Sequence, residues 1–263
     1  MSYQFIEKQV CVNGHKIFYL EGGIASNKEP ILFVHGWAVS VEPYQEIINV
    51  LCQRYQVLAP ALPGFGKSEG DVFDWNYNDY ASFLITFLQT LNIKKIHLIG
   101  HSLGGGVSAT LAALEPAMFG SLVLVDSTGI PVEPVPKVLF QRLIEMTAQT
   151  PQIKYPQLSQ VFQAFFYNAL FRAQNTIKML WLSLTEDLKS ILPQIKSPCL
   201  LVWGANDLTT PLIAGQEFSR LIKGSKLVVV EEGYHEWSIF FVEKIADIIF
   251  NFIDEVEKSK LVK

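Results

Sequence analysis

Short, almost continuous apolar runs alternate along the chain with segments in which apolar residues recur every three or four positions. The first pattern is typical of strands buried on both faces, and the second is typical of helices with one buried side. Strands are predicted at 10–20 (two strands about an Asn13-Gly14 turn), 30–35, 55–60, 96–99, 121–126, 199–203 and 226–230. Helices are predicted at 44–54, 78–91, 212–222 and 240–256, and directly after the strand at 96–99. This alternation predicts an α/β fold with a mostly parallel, eight-stranded sheet flanked by helices.

The alternation stops between the strand at 121–126 and the strand at 199–203. Residues 130–196 show helical spacing with polar interruptions, and they are rich in aromatic side chains. Neither a Ser/Gly linker nor a shift in composition separates them from the rest of the chain. The sequence therefore predicts a core domain formed by 1–129 and 197–263, with 130–196 inserted after the sixth strand as a helical cap over the site.

The sequence Gly-His-Ser-Leu-Gly-Gly at 100–105 directly follows the predicted strand at 96–99. A Gly-x-Ser-x-Gly pattern between a strand and a helix is typical of a nucleophile elbow, in which a tight turn projects the serine. Glycine relieves the crowding of such a turn, and the first N–H groups of the helix point toward negative charge that develops beside the serine. Ser102 is therefore the candidate nucleophile.

A carboxylate and an imidazole occur in turns after later strands, at the edge where parallel sheets place their ligand sites. Asp207 follows the strand at 199–203, and His235 follows the strand at 226–230. A serine nucleophile needs a base to remove its proton, and the base needs a carboxylate that fixes its tautomer. The chain order Ser102, Asp207, His235 matches the triad order of α/β-hydrolases. Asp126, at the end of the strand at 121–126, is the alternative acid.

With these motifs the chain resembles the α/β-hydrolase fold superfamily, and within it the capped, esterase-like branch. The similarity covers nearly all residues and includes His-Gly-Trp at 35–37 and Pro-Gly-Phe-Gly-Lys-Ser at 63–68. It implies that the backbone N–H of Trp37 forms an oxyanion hole together with that of Leu103, the residue directly after the nucleophile. We interpret His35 as ordering the loop before Trp37 rather than taking part in the chemistry. Ala61 departs from the pattern, because many relatives carry Asp there, which removes one turn-stabilising contact of those relatives.

The predicted substrate pocket consists of two histidines near the elbow and aromatic residues of the insertion. These residues are His35, His101, Phe162, Phe165, Phe166 and Trp181. Phenylalanine at helical spacing is also typical of ordinary core packing, so both interpretations stay open. If at least two of the aromatic side chains line a pocket, the substrate has an apolar acyl or alcohol part.

Composition argues against several other classes of function. The net charge of −4 gives no basic surface for nucleic acid, and no uncharged apolar run reaches the ~20 residues of a membrane span. Three single cysteines and a start without a signal-peptide pattern favour a cytoplasmic protein. No His or Cys pair has zinc-ligand spacing, so neither a metal nor a cofactor is predicted, and the oligomeric state, monomer or dimer, stays open.

The predicted activity is hydrolysis of a small-molecule carboxylic ester, or a thioester, with an apolar portion through an acyl-enzyme. Two alternatives stay open. The same triad serves C–C bond hydrolases and hydroxynitrile lyases, whereas some proteins of this fold are ligand receptors without catalytic activity. Three matched triad positions favour an enzyme, since a receptor has no need of them.

Overall fold

One sheet forms the centre of the molecule in the computed structural model, which describes residues 4–23, 28–70, 72–150 and 155–261. Within these residues the strands are β1 (Phe5–Val12), β2 (His15–Gly22), β3 (Ile31–Val34), β4 (Val57–Pro60), β5 (Ile96–His101), β6 (Phe119–Val125), β7 (Cys199–Gly204) and β8 (Lys226–Val230). Their order across the sheet is β1-β2-β4-β3-β5-β6-β7-β8. The β1–β2 and β2–β4 pairs are antiparallel, and the other neighbouring pairs are parallel. The predicted fold class is confirmed.

Helices connect most of the strands and follow the last one. They are α1 (Gln45–Leu51), α2 (Tyr77–Thr90), α3 (Leu103–Leu114), α4 (Val135–Gln149), α5 (Tyr155–Phe171), α6 (Ala173–Thr185), α7 (Leu212–Leu221), α8 (Trp237–Phe240) and α9 (Val242–Leu261). Three of them, α4, α5 and α6, lie between β6 and β7, within the segment predicted as a helical insertion. The boundaries of a separate cap stay a prediction.

The sheet separates two apolar cores, because alternate residues of a strand point to opposite faces. In β3, Leu32 and Val34 belong to the core that contains α2 and α3, whereas Ile31 and Phe33 belong to the core that contains α1 and α9. Every residue of β5 is buried, and its neighbours are β3 and β6. The carboxyl end of β5 therefore lies near the middle of the sheet edge, with loops from other strands on both sides.

Two helix boundaries differ from the sequence prediction for local reasons. The helix predicted at 78–91 begins at Tyr77, because Asn76 accepts the backbone N–H of Asp79 while the Asp79 carboxylate accepts the N–H of Asn76. The helix predicted at 240–256 is α9, which begins at Val242 rather than at residue 240. Phe241, with φ −105° and ψ 58°, interrupts the helical backbone and separates α9 from the short α8 before it.

Candidate active site

Ser102 lies at the tip of the turn between β5 and α3, with φ 53° and ψ −120°, a conformation that residues with a side chain rarely adopt. Glycines two positions away on both sides make the turn possible. A Cβ on Gly100 would lie 2.3 Å from the Gly104 carbonyl oxygen, and a Cβ on Gly104 would lie 2.3 Å from the Val34 carbonyl oxygen. The sequence thus forms the strained turn that the Gly-x-Ser-x-Gly pattern predicts.

Three side chains from separate loops meet at this turn and form a chain of hydrogen bonds. Ser102 Oγ lies 2.8 Å from His235 Nε2, and His235 Nδ1 lies 2.8 Å from Asp207 Oδ2. His235 follows β8 and Asp207 follows β7, so both come from the carboxyl edge of the sheet. The structure brings the three predicted triad residues together, and all three are buried.

The loop after β7 holds the Asp207 carboxylate. Oδ1 accepts the backbone N–H groups of Thr209 and Thr210, both at 2.8 Å, and Oδ2 accepts the Thr210 hydroxyl at 2.7 Å. Burial alone would raise the pKa of Asp207, but the charge and hydrogen bond of His235 and the hydrogen bonds from Thr210 outweigh it, so this pKa is lowered. Asp207 is therefore ionised where it faces His235.

The alternative acid, Asp126, directly follows β6 and makes different contacts. Its Oδ1 accepts the Gly204 N–H at 2.7 Å, and its Oδ2 accepts the indole N–H of Trp237 at 2.7 Å. Burial, followed by the negative charge of Asp207, raises the pKa of Asp126 well above its usual value. The geometry thus favours Asp207 as the partner of His235, since that is the carboxylate within hydrogen-bond distance of Nδ1.

The two backbone N–H groups predicted for the oxyanion hole belong to Leu103 and Trp37. Leu103 is the first residue of α3, a position whose N–H has no partner within the helix. Trp37 precedes Ala38, which turns the loop after β3 with a φ of 59°. Neither N–H donates to another residue in the part of the chain that the structure describes, so both are free to donate to an anion.

His35, predicted at the pocket, binds backbone groups with both ring nitrogens. Nε2 accepts the Leu62 N–H at 2.9 Å, which leaves Nδ1–H to donate to the Gly36 carbonyl at 2.8 Å. This is the geometry of a residue that orders the loop before Trp37, the role predicted for His35 from the sequence. A pocket role for this fully buried ring stays a prediction.

A hydrogen-bond chain connects the same loop to His235. The Gly36 N–H donates to Tyr44 Oη at 3.1 Å, Tyr44 Oη–H donates to His101 Nδ1 at 2.7 Å, and His101 Nε2–H donates to the His235 carbonyl at 3.0 Å. Burial, followed by the charge of His235, lowers the pKa of His101 to about 3. His101 is therefore neutral and supports the main chain of His235, while its predicted role in a pocket is not tested by these contacts.

Helices α5 and α6 contact the loop that contains Trp37. The buried Asn168 of α5 donates from Nδ2 to the Ala38 carbonyl at 3.3 Å, and its Oδ1 accepts the Gly66 N–H at 3.0 Å. Trp37 Nε1 donates to the Thr176 carbonyl of α6 at 2.6 Å. These hydrogen bonds hold the two helices beside the candidate oxyanion hole. Asn168 could not be predicted as part of the site, because its only distinguishing feature is that it is a polar residue in a largely apolar stretch.

One of the four aromatic residues predicted at a pocket contacts this loop. The ring centroid of Phe165 lies 6.2 Å from that of Trp37, in an edge-to-face arrangement. Phe162, Phe166 and Trp181 are 43, 57 and 59% exposed. Whether these side chains line a substrate pocket stays a prediction.

Sequence reasoning missed a polar network between α4 and the loops of the triad. Glu145 accepts the backbone N–H of His235, and Arg142 bridges Glu145 and Glu236. The signal in the sequence was a pair of opposite charges three positions apart, which is more often found on an exposed helix face. What sets this pair apart is burial, because Glu145 is fully inaccessible to solvent.

Because three of its buried histidines have lowered pKa values, the protein is expected to become less stable in acid. Burial lowers the pKa of His35 and of His97 to about 4, and that of His101 to about 3. An unfolded histidine titrates near pH 6.5, so from about pH 6.5 down to about pH 4 the unfolded state binds more protons than the folded state. The free energy of unfolding is therefore expected to fall as pH drops through this window, by up to about 1.4 kcal/mol per pH unit for each histidine. Urea titrations across the window measure this slope.

His97 provides a test away from the triad. Its Nδ1 hydrogen-bonds to Ser121 Oγ at 2.8 Å, and its Nε2 lies 3.8 Å from Glu29 and 3.6 Å from Glu257. His97→Gln is expected to reduce the pH slope of stability and to leave activity unchanged. If the free energy of unfolding of His97→Gln changed with pH as steeply as that of the wild type, His97 would not contribute to the loss of stability in acid.

The described residues contain neither a candidate metal site nor a membrane-spanning helix. No group of three or more His, Cys, Asp or Glu side chains among them is placed to hold a metal ion. No helix among them is long and apolar enough to cross a membrane.

Comparison with known proteins agrees with the fold. A parallel sheet whose carboxyl edge carries Ser, Asp and His in this order is the architecture of α/β-hydrolases. The model of the alpha/beta hydrolase family matches residues 31–248, and the chain belongs to this family.

Individual relatives are similar over most of their length. The Uncharacterized hydrolase YugF of Bacillus subtilis (strain 168) is 25% identical, with 92% of this chain and 97% of that protein covered. Lipase 1 of Psychrobacter immobilis is also 25% identical, with 92% and 82% covered. The crystal structure of a bacterial membrane phospholipase A is similar with a TM-score of 0.80 and 27% identity, covering 97% of this chain and 87% of that one.

Proposed function

We propose that this protein is a serine hydrolase that cleaves carboxylic esters, or thioesters, with an apolar portion through an acyl-enzyme on Ser102. The observation that carries the proposal is the hydrogen-bond chain from Ser102 Oγ through His235 to Asp207, with 2.8 Å for each link. It supplies the nucleophile, the base and the orienting carboxylate that acyl transfer requires.

His235 is the base of the acylation step. As Ser102 Oγ attacks the carbonyl carbon, its proton passes to Nε2 and the carbonyl electron pair moves to oxygen. When the tetrahedral intermediate collapses, the C=O bond re-forms and the bond to the leaving group breaks, and the leaving group takes the proton from Nε2. Asp207 accepts Nδ1–H throughout, which fixes the tautomer and stabilises the imidazolium.

Water completes the cycle by attacking the acyl-enzyme. His235 takes a proton from the water as its oxygen attacks the acyl carbon, and Ser102 then leaves with the proton held on Nε2. In both steps the N–H groups of Leu103 and Trp37 donate to the oxyanion. One donor of this kind lowers the barrier by about 3–4 kcal/mol in other enzymes.

The helices beside the site support an apolar substrate. The sequence from Met146 to Thr185 contains neither Asp nor Glu and is rich in aromatic residues, and Phe165 of this stretch lies against Trp37. Apolar and aromatic side chains provide most of the lining of small-molecule sites. Similarity to Lipase 1 and to a membrane phospholipase A, both enzymes named for lipid substrates, favours esters of this kind.

Labelling with a fluorophosphonate probe, followed by intact-mass analysis and peptide mapping, tests the proposal. We expect one adduct on Ser102 in the wild type, and none in Ser102→Ala or in wild-type protein unfolded by heat before labelling. The unfolded sample is the matched control, because labelling that needs the fold reports an activated serine rather than a merely exposed one. Turnover of p-nitrophenyl esters of increasing chain length then measures the preference for an apolar acyl part.

Other outcomes distinguish the alternatives. An adduct without ester or thioester turnover, together with cleavage of a diketone or a cyanohydrin, would support a C–C hydrolase or a lyase that uses the same triad. A well-folded protein that takes no label and binds an apolar ligand tightly would be a receptor, and the proposed hydrolase activity would be wrong.

A further inference from the structure

A buried carboxylate of helix α4 binds both loops that carry the base and the acid of the candidate triad. Glu145 Oε1 accepts the backbone N–H of His235 at 2.7 Å and that of Leu208 at 3.3 Å. Its Oε2 accepts the Thr209 hydroxyl at 2.7 Å. Leu208 and Thr209 directly follow Asp207, so one carboxylate connects the loop after β7 to the loop after β8.

The main chain of His235 is therefore held from two sides. Glu145 accepts its N–H, and the Nε2–H of His101 donates to its carbonyl at 3.0 Å. Since His101 belongs to β5 and Glu145 to α4, the two contacts reach His235 from different parts of the fold. An imidazole whose backbone is fixed on both sides keeps its distances to Ser102 and Asp207 with less conformational freedom.

Arg142 and Gln149 extend the same network along α4. The Arg142 guanidinium donates to Glu145 at 3.2 Å and makes a two-point contact with Glu236, the residue after His235. Gln149 Nε2 donates to the same Glu236 carboxylate at 2.7 Å. Each of the two carboxylates thus has a positively charged or hydrogen-bond-donating side chain beside it. The buried charge of Glu145 is therefore paired, as a charge removed from water must be.

We infer that Glu145 is a positioning residue for the proposed hydrolase: it holds the His235 loop and the Asp207 loop in register so that the imidazole meets both Ser102 and Asp207. The inference rests on the proposed function, because the geometry it maintains is that of the triad. Glu145 itself touches none of the reacting atoms. Loss of Glu145 is therefore expected to slow the chemical step rather than to weaken substrate binding.

Three substitutions of Glu145 test separately the length of its side chain, its negative charge and the presence of a hydrogen-bond acceptor. Glu145→Ala removes the acceptor, Glu145→Asp keeps the charge but is one methylene too short for His235, and Glu145→Gln keeps an oxygen at the right distance without the charge. We expect Glu145→Ala and Glu145→Asp to lower kcat about 10- to 100-fold with KM within about threefold of the wild type. Glu145→Gln is expected to recover kcat to within about threefold. Lys137→Ala, in the exposed ion pair with Glu133 near the start of α4, is the matched control.

The assays are run well below the melting temperature of each variant, and an activity-independent signal accompanies them. The Nδ1 proton of His235, held by Asp207, is followed by proton NMR, and its exchange with water is expected to quicken in Glu145→Ala and Glu145→Asp. Faster exchange with the expected loss of kcat supports the inference. Wild-type kcat and wild-type exchange in folded Glu145→Ala would overturn it while leaving the proposed function intact.

Two other outcomes are equally decisive. If Glu145→Asp retains full activity and Glu145→Gln loses it, the charge matters and the positioning role is wrong. If the wild type shows neither labelling nor turnover but Glu145→Ala still quickens the exchange of the His235 proton, the proposed function fails and Glu145 still positions His235.

Discussion

Ser102→Ala is expected to lower ester turnover by about 10⁴-fold or more, to the level of the uncatalysed reaction plus any residual effect of binding. The substitution removes the atom that forms the acyl-enzyme, and no other hydroxyl lies at the tip of the turn. Alanine carries a Cβ just as serine does, so the backbone strain at φ 53° is unchanged. Only one hydrogen bond, that to His235, is lost, so we expect the free energy of unfolding to change by no more than about 1 kcal/mol. Steady-state kinetics and urea titrations measure both quantities.

Ser108→Ala is the matched control for this substitution. Ser108 lies in α3, the helix that directly follows Ser102. It is fully buried, and its Oγ has no hydrogen-bond partner among the residues that the structure describes. Loss of this hydroxyl is expected to leave kcat unchanged. If Ser102→Ala retained more than about a hundredth of wild-type activity while Ser108→Ala behaved normally, Ser102 could not be the nucleophile of the measured reaction.

The sequence predicted the parts of the molecule that depend on local pattern. The elbow at Ser102 follows from the glycines that its turn requires, and the parallel strands follow from their apolar runs. The positions of Asp207 and His235 could also be predicted, because turns after parallel strands collect at one edge of the sheet. Each of these inferences uses neighbours along the chain or a general rule of sheet topology.

Contacts between distant segments could not be predicted in this way. Glu145 lies 90 residues from His235, and nothing in the sequence near either residue indicates that they meet. Asn168 similarly binds Ala38 across 130 residues. The turn at 63–68 is held in a similar way by a side chain, since Ser68 Oγ donates to the backbone carbonyl of Ala61 at 2.8 Å. Which polar side chain fills such a position depends on the packing of the whole chain.

The carboxylate of Asp207 is expected to be essential for the function of His235 as a base. Asp207→Asn is expected to lower kcat by about 10⁴-fold with little change in the fold. An asparagine that keeps its oxygen toward Thr209 and Thr210 turns its NH₂ toward His235 Nδ1, which then has to accept rather than donate. The imidazole proton would move to Nε2, and that nitrogen could no longer take the proton of Ser102. Kinetics at neutral pH measure the loss.

Asp126→Asn is expected to cost less than about tenfold in kcat, because Asp126 binds Gly204 and Trp237 rather than the imidazole. Burial raises the pKa of Asp126 whereas the pKa of Asp207 is lowered, so losing the charge is expected to cost less at Asp126 than at Asp207. The comparison of the two variants decides between the acids, since both replace a buried carboxylate with an amide of the same shape. A larger loss in Asp126→Asn than in Asp207→Asn would show that the acid acts from the end of β6, and that the hydrogen bond between Asp207 and His235 is not the one used in catalysis.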